Sequence, residues 1–132
     1  MKFKLLILAA ITACGLAAQV NESKISAAVP FAFEVKGVKM PAGRYELVRT
    51  ARNSFLLVTN AATGQKVAVM AGATSDGKAQ RSSLEFKRYN GVYFLSAVEF
   101  GDAQRKFAIT SSPREKEMAI AIQPELIIAR AE

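Results

Sequence analysis

The side chains in this sequence that could do chemistry are scattered carboxylates and a few paired cations, and the usual catalytic partners are missing. There is no His and a single Cys, Cys14. A Ser-His-Asp triad, a Cys-His dyad and zinc sites of the His/Cys type are therefore excluded. No segment matches a Walker loop, a dinucleotide-binding Gly-x-Gly-x-x-Gly turn or an EF-hand loop, so no cofactor is implied. A glycosidase needs two carboxylates facing one cleft. Glu34, Glu46, Asp76, Glu85, Glu99 and Asp102 could supply such a pair, but most sit at alternate, outward strand positions and read as solvated faces. A carboxylate hydrolase built on Glu85 or Glu99 is the outside reading, and a Ser-Lys nucleophile has no motif to anchor it. The expectation is a protein that is not an enzyme.

The cations are more numerous, with 18 Lys plus Arg against 11 Asp plus Glu and a net charge of +7. Lys87-Arg88 and Arg105-Lys106 are pairs, and Arg44, Arg49 and Arg52 form a second stripe. Glu46, Glu85, Glu99 and Asp102 interleave with them, which argues for a mixed-charge surface and against nucleic acid. Together with Tyr93, the residues Lys87, Arg88, Arg105 and Lys106 could hold an anionic glycan or lipid headgroup through charge and aromatic packing. The same residues have a purely structural use, with Tyr93 packing on Arg88 across a hairpin and Tyr89 bordering its turn.

The elements that must position these residues begin after an unusual N-terminus. Lys2 and Lys4 precede an uncharged, largely apolar run from Leu5 to Val20, the layout of a secretory signal. Gly15-Leu16-Ala17 fits a small-x-small cleavage site, with Ala18 as the alternative last residue removed. The run falls short of the ~20 residues that span a bilayer as a helix. Ile11-Thr12-Ala13-Cys14 resembles a lipobox, so lipid anchoring at Cys14 is the minority alternative to ordinary cleavage. The expected organisation is a signal over 1–17 and one β-rich domain over 18–132, periplasmic or secreted, with no membrane span after cleavage. A domain of roughly 115 residues buries about two-thirds of its unfolded surface and needs no disulfide.

Within that domain, apolar residues recur with period two between turn residues. Phe31, Phe33 and Val35 share one face of a half-buried strand, with Ala32, Glu34 and Lys36 on the other. Met40-Pro41-Ala42-Gly43 turns into a strand over Tyr45 to Arg49. Ser54 to Thr59 and Gln65 to Ala71 form a hairpin through Asn60 to Gly64. Asn90-Gly91 is the pair preferred for a two-residue type I′ turn, and it opposes Arg88 to Tyr93, Phe86 to Leu95 and Leu84 to Ala97. That register leaves a wetter opposite face, with Lys87 beside Phe94 and Glu85 beside Ser96.

Arg105 to Ile109 reads as a further strand. Ser112-Pro113-Arg114-Glu115 has capping-box spacing with Pro at the first helical position, so a short helix runs to about Ile122, Met118 and Ile122 facing inward. Met118 to Ile122 also alternates as a strand would, but the cap favours the helix. Leu126 to Ala129 is the last strand, and Ala73 to Gln80 the most open loop. The fold class is mainly β: an antiparallel β-sandwich or partly closed small β-barrel of about 7–9 short strands with one short C-terminal helix over about 113–122.

Four blocks, Val29 to Phe33, Met40 to Tyr45, Phe86 to Ser96 and Ser112 to Glu117, together resemble successive segments of a family of small, signal-peptide-bearing β-rich proteins abundant in acidobacterial genomes. The resemblance implies a signal peptide followed by a β-rich domain with one late helix, and it brings no catalytic residues.

Two functional readings follow. One is an envelope module that binds another envelope protein or itself, with Phe31, Phe33 and Val35 on an edge strand offering backbone for β-augmentation. The other is an anionic-ligand module working through Lys87, Arg88, Tyr93, Arg105 and Lys106, with retention that weakens as salt rises.

Overall fold

The computed structural model describes residues 22–50, 54–74, 81–101 and 105–132. The expected signal segment with Cys14, and also Arg52, Asp76, Asp102 and most of the loop over 73–80, lie outside them. Among the described residues, ten strands and one helix form: β1 (Glu22–Val29), β2 (Phe33–Val35), β3 (Val38–Met40), β4 (Gly43–Thr50), β5 (Phe55–Asn60), β6 (Lys66–Thr74), β7 (Ser83–Tyr89), β8 (Val92–Phe100), β9 (Arg105–Ile109), α1 (Pro113–Ala121) and β10 (Glu125–Arg130). Ten strands exceed the seven to nine expected. The additions are β1, whose Ala-rich run gives a weak alternation signal, and β3, which the sequence presents as part of a turn.

Turn chemistry sets two of the hairpins. Asn90 and Gly91 take φ of 51° and 86°, the doubly positive pattern of a type I′ turn. Lys36 and Gly37, at 54° and 76°, make the same turn between β2 and β3 with a residue that rarely adopts it. In the β7–β8 hairpin Arg88 opposes Tyr93 and Phe86 opposes Leu95 as expected, but Leu84 opposes Val98 and Glu85 opposes Ala97. Ser96 is the extra residue of a β-bulge, its hydroxyl donating to Glu85 O at 3.2 Å.

The strands form one mixed sheet in the order β1-β4-β5-β6-β9-β8, with β2-β3 and β7-β10 also joined at β8. Glu34 pairs parallel with Phe94; the other ladders are antiparallel. The sheet folds over itself because β6 serves two neighbours, pairing β5 through Lys66 to Met70 and β9 through Ala71 to Thr74. It is not closed into a barrel, since no ladder joins β1 to β10 among the described residues.

The inner face is an apolar core of alternating residues: Ile25, Ala27 and Val29 of β1, Tyr45 and Leu47 of β4, Val67, Val69 and Ala71 of β6. Aromatic residues and arginines fill its two ends. At one, Phe31 stacks on Tyr93 with centroids 3.9 Å apart and meets Phe86 edge-on at 4.9 Å. Arg88 lies 5.6 Å from the Tyr93 ring. At the other, the Arg49 guanidinium sits 4.0 Å over Phe107.

Helix α1 lies outside the sheet. Ser112 caps it by accepting from Glu115 N at 3.2 Å, with Pro113 in the first turn. Its buried residue is Glu115, while Met118 and Ile122 are half-buried. On the face expected to be wetter, Lys87 is exposed and Glu85 and Ser96 are half-buried, while Phe94 is buried, as is Tyr89 under Glu115.

Candidate functional site

The five residues of the expected basic strip do not meet. Arg88 and Tyr93 oppose each other at one end of β7 and β8, whereas Arg105 and Lys106 oppose Phe100 and Glu99 at the other. Seven strand steps separate those ends, roughly 20 Å at the usual rise per residue. Arg88 Nη1 is engaged by Glu125 at 3.2 Å, and Lys106 Nζ by Glu85 at 2.6 Å. Lys87 and Arg105 are exposed cations beside apolar neighbours, Leu126 and Phe100 respectively. The Arg88 Nε is buried with no hydrogen-bond partner, which marks it as part of the packing.

The expected edge strand is also elsewhere. β2 lies between β3 and β8, and Phe33 and Val35 are buried in the core, so their backbone offers no edge. Phe31 precedes β2 and is spent on Tyr93 and Phe86. The carboxylates that an acid/base reading would use face cations. Glu85 bonds Lys106, and Glu99 lies opposite Lys106 in register.

Two polar links pin α1 to the outer face. Tyr89 donates its hydroxyl to Glu115 Oε2 at 3.1 Å, and Arg114 Nη1 donates to Glu34 Oε2 at 2.7 Å. Glu115 thus turns its carboxylate to the sheet, where the sequence pointed it back toward the Ser112 amide. Burial, then the charge of Glu115 and its hydrogen bond, push the Tyr89 hydroxyl above the ordinary 10.0. Burial raises Tyr45 as well, against a hydrogen bond with Asn60 that lowers it.

Both tyrosines keep their protons in the folded state to higher pH than in the unfolded chain. Above about pH 10 the native state binds more protons, so stability is fully present below that value and falls as pH rises through the folded values. Denaturation midpoints measured between about pH 9 and pH 11 should fall, and less steeply for Tyr89→Phe than for wild type. Equal slopes would remove Tyr89 from this account.

Among the described residues β10 is one edge of the sheet, as β3, paired only with β2, is another. β10 pairs β7 along one side over Glu125 to Arg130. On its other side Glu132 N donates to Ser26 O of β1 at 2.9 Å, and beside this junction lies a hollow of about 420 Å³ bordered by Lys24, Arg81 and Ser82. The outer face of β10 is uncovered: Leu126 is 58% and Ile128 55% exposed. Ile120, at the end of α1 that leads into β10, is 86% exposed.

An unpaired edge beside two outward apolar side chains is what β-augmentation uses, main-chain groups giving affinity and alternate side chains giving fit. The sequence shows Leu126-Ile127-Ile128 as a continuous apolar run, the pattern of a strand buried on both faces. Only the structure reveals that its outer half has no cover. Another hollow, apolar and about 290 Å³, lies between Phe55, Met70 and the Thr110 to Pro113 connection.

Comparisons with protein-family models, with curated proteins and with solved structures find no match to this chain.

Proposed function

We propose that this chain is an exported, non-enzymatic protein-interaction module of the cell envelope, and that it captures an extended segment by strand addition along β10. The observation that carries this reading is that β10 has, among the described residues, a ladder to β7 alone, with Leu126 and Ile128 exposed on its outer face. Export is supported by Lys2, Lys4 and the apolar run that follows them. Native proteins protect exposed edges with charge, proline or a covering element, and the centre of β10 has none of these. The anionic-ligand reading has less support, because its five residues fall at opposite ends of the sheet and two of the cations are already paired.

A photoreactive benzophenone amino acid in place of Leu126, activated in growing cells, tests the proposal. A discrete cross-linked species is expected, and Ile128→Lys in the same protein should abolish it, since a charge on an exposed position disturbs pairing and spares the core. No adduct, or an adduct indifferent to Ile128→Lys, would overturn capture at β10.

A further inference from the structure

We infer that the apolar hollow beside Phe55 and Met70 is a binding site for a small carboxylate with an apolar body, held at its charged end by Lys36. It shares no bordering residue with β10 or with the expected basic strip, and it does not depend on strand capture.

The hollow arises where β9 leaves β6. β6 pairs β5 over Lys66 to Met70, but pairs β9 only from Ala71 onward. Thr110 N still donates to Met70 O at 3.3 Å, and the chain then departs for α1. Carbonyls two residues apart on a strand point the same way, so Ala68 O faces the side that β9 no longer covers. Lys36, in the turn between β2 and β3, reaches that carbonyl and donates its Nζ to it at 3.3 Å. The space of about 290 Å³ opens between these parts.

Its lining has two chemistries. Phe55 and Met70 oppose each other in the β5–β6 ladder and are 47% and 55% exposed, so an apolar body laid against them removes apolar surface from water. Lys36 is the one ionisable side chain among the described residues that border the hollow, and Thr110 and Ser111 add hydroxyls. An ammonium has three donors, so after the bond to Ala68 O two remain for an anion. A carboxylate is the matching end group, since it accepts from both ammonium and hydroxyl. The volume lies at the lower end of the ~300–1,000 Å³ usual for ligand pockets, so the occupant is small.

Lysine is also a poor choice for the place it occupies. At φ 54° it holds the first position of a type I′ turn, where Asn or Gly fits without strain. A residue held in a sparsely populated backbone region points to a use for its side chain. Here that use is a positive charge fixed at the lip of an apolar hollow.

NMR titration of the purified protein with hexanoate, and separately with 1-hexanol, tests both halves of the site through the Met70 methyl signal. Hexanoate should shift it saturably while the methyl of Met40, buried in the core, stays in place. Hexanol should bind at the same methyl about fivefold more weakly, the worth of one exposed charge pair. Lys36→Asn should bring hexanoate down to the affinity of hexanol and leave the denaturation midpoint equal or higher, because Asn suits the turn. No saturable shift at Met70 overturns the proposal, as does equal affinity for acid and alcohol in the wild type. A preference for the acid that survives Lys36→Asn overturns it too. A lower midpoint for Lys36→Asn would show that lysine serves the turn itself, which removes the reason to give its charge a ligand.

Discussion

Phe86→Ala will cost about 3–5 kcal/mol of folding stability, the range for deleting a fully buried aromatic ring. Phe86 is fully buried, with Phe31 edge-on at 4.9 Å and Phe33 at 5.2 Å. Its strand is held between β8 and β10, so the backbone has little freedom to close over the space left behind. Phe33 also contacts Tyr45 at 5.0 Å, which ties the loss to β4 across the core. Urea unfolding at neutral pH measures the cost. A total stability in the usual range of about 5–15 kcal/mol makes this a large share of it. Phe86→Leu should recover roughly half by refilling the cavity. A loss below about 1 kcal/mol for Phe86→Ala would mean that the three rings rearrange into the space, contrary to the interlocked packing described above.

Glu115→Ala is the second large effect, about 2–3 kcal/mol, because it strands the buried Tyr89 hydroxyl and removes the inner anchor of α1. Tyr89→Phe should cost a similar amount by leaving the carboxylate without its donor. The double change Tyr89→Phe with Glu115→Leu should cost less than the two single changes added together, since no buried polar group is then left unpaired. A double-mutant cycle on denaturation midpoints checks this. Strict additivity would show that the 3.1 Å contact contributes nothing beyond burial. The far-UV helix signal supplies a second readout, because Arg114 and Glu34 remain as the other link.

Where local chemistry decided the outcome, the sequence was readable. Asn90-Gly91 and Ser112-Pro113-Arg114-Glu115 each carry their own geometry: the turn formed as its spacing implied, and so did the Ser112 half of the cap, while Glu115 went to Tyr89. Lys36-Gly37 makes the same turn as Asn90-Gly91, but lysine has no intrinsic preference for positive φ, so nothing local announced β3. Glu34 looked outward by alternation and is buried all the same, because its partner Arg114 lies 80 residues away on an element whose docking no local pattern encodes. The bulge at Ser96 shifted Leu84 and Glu85 by one partner, an irregularity that the strict alternation on either side conceals.

The candidate site was misplaced for a related reason. Edge status belongs to the whole sheet, and a strand's own residues do not disclose it. Phe31 to Val35 had the alternation of a half-exposed strand but sits between two others. Leu126 to Ala129 read simply as the last strand, and nothing in its residues marked it as an edge. The basic strip joined residues adjacent in sequence pattern that the length of β8 holds apart.

The hydrogen bond from Glu132 N to Ser26 O bears on how the chain reaches its native state. The first described strand cannot be secured against the last until synthesis has delivered residue 132, and Glu34 must likewise wait for Phe94. Contacts so distant along the chain carry a high loop-closure cost and slow folding. A chain emerging from the ribosome would then hold hairpins but no finished sheet. On the export reading proposed above, that delay keeps the polypeptide threadable until it has crossed the membrane.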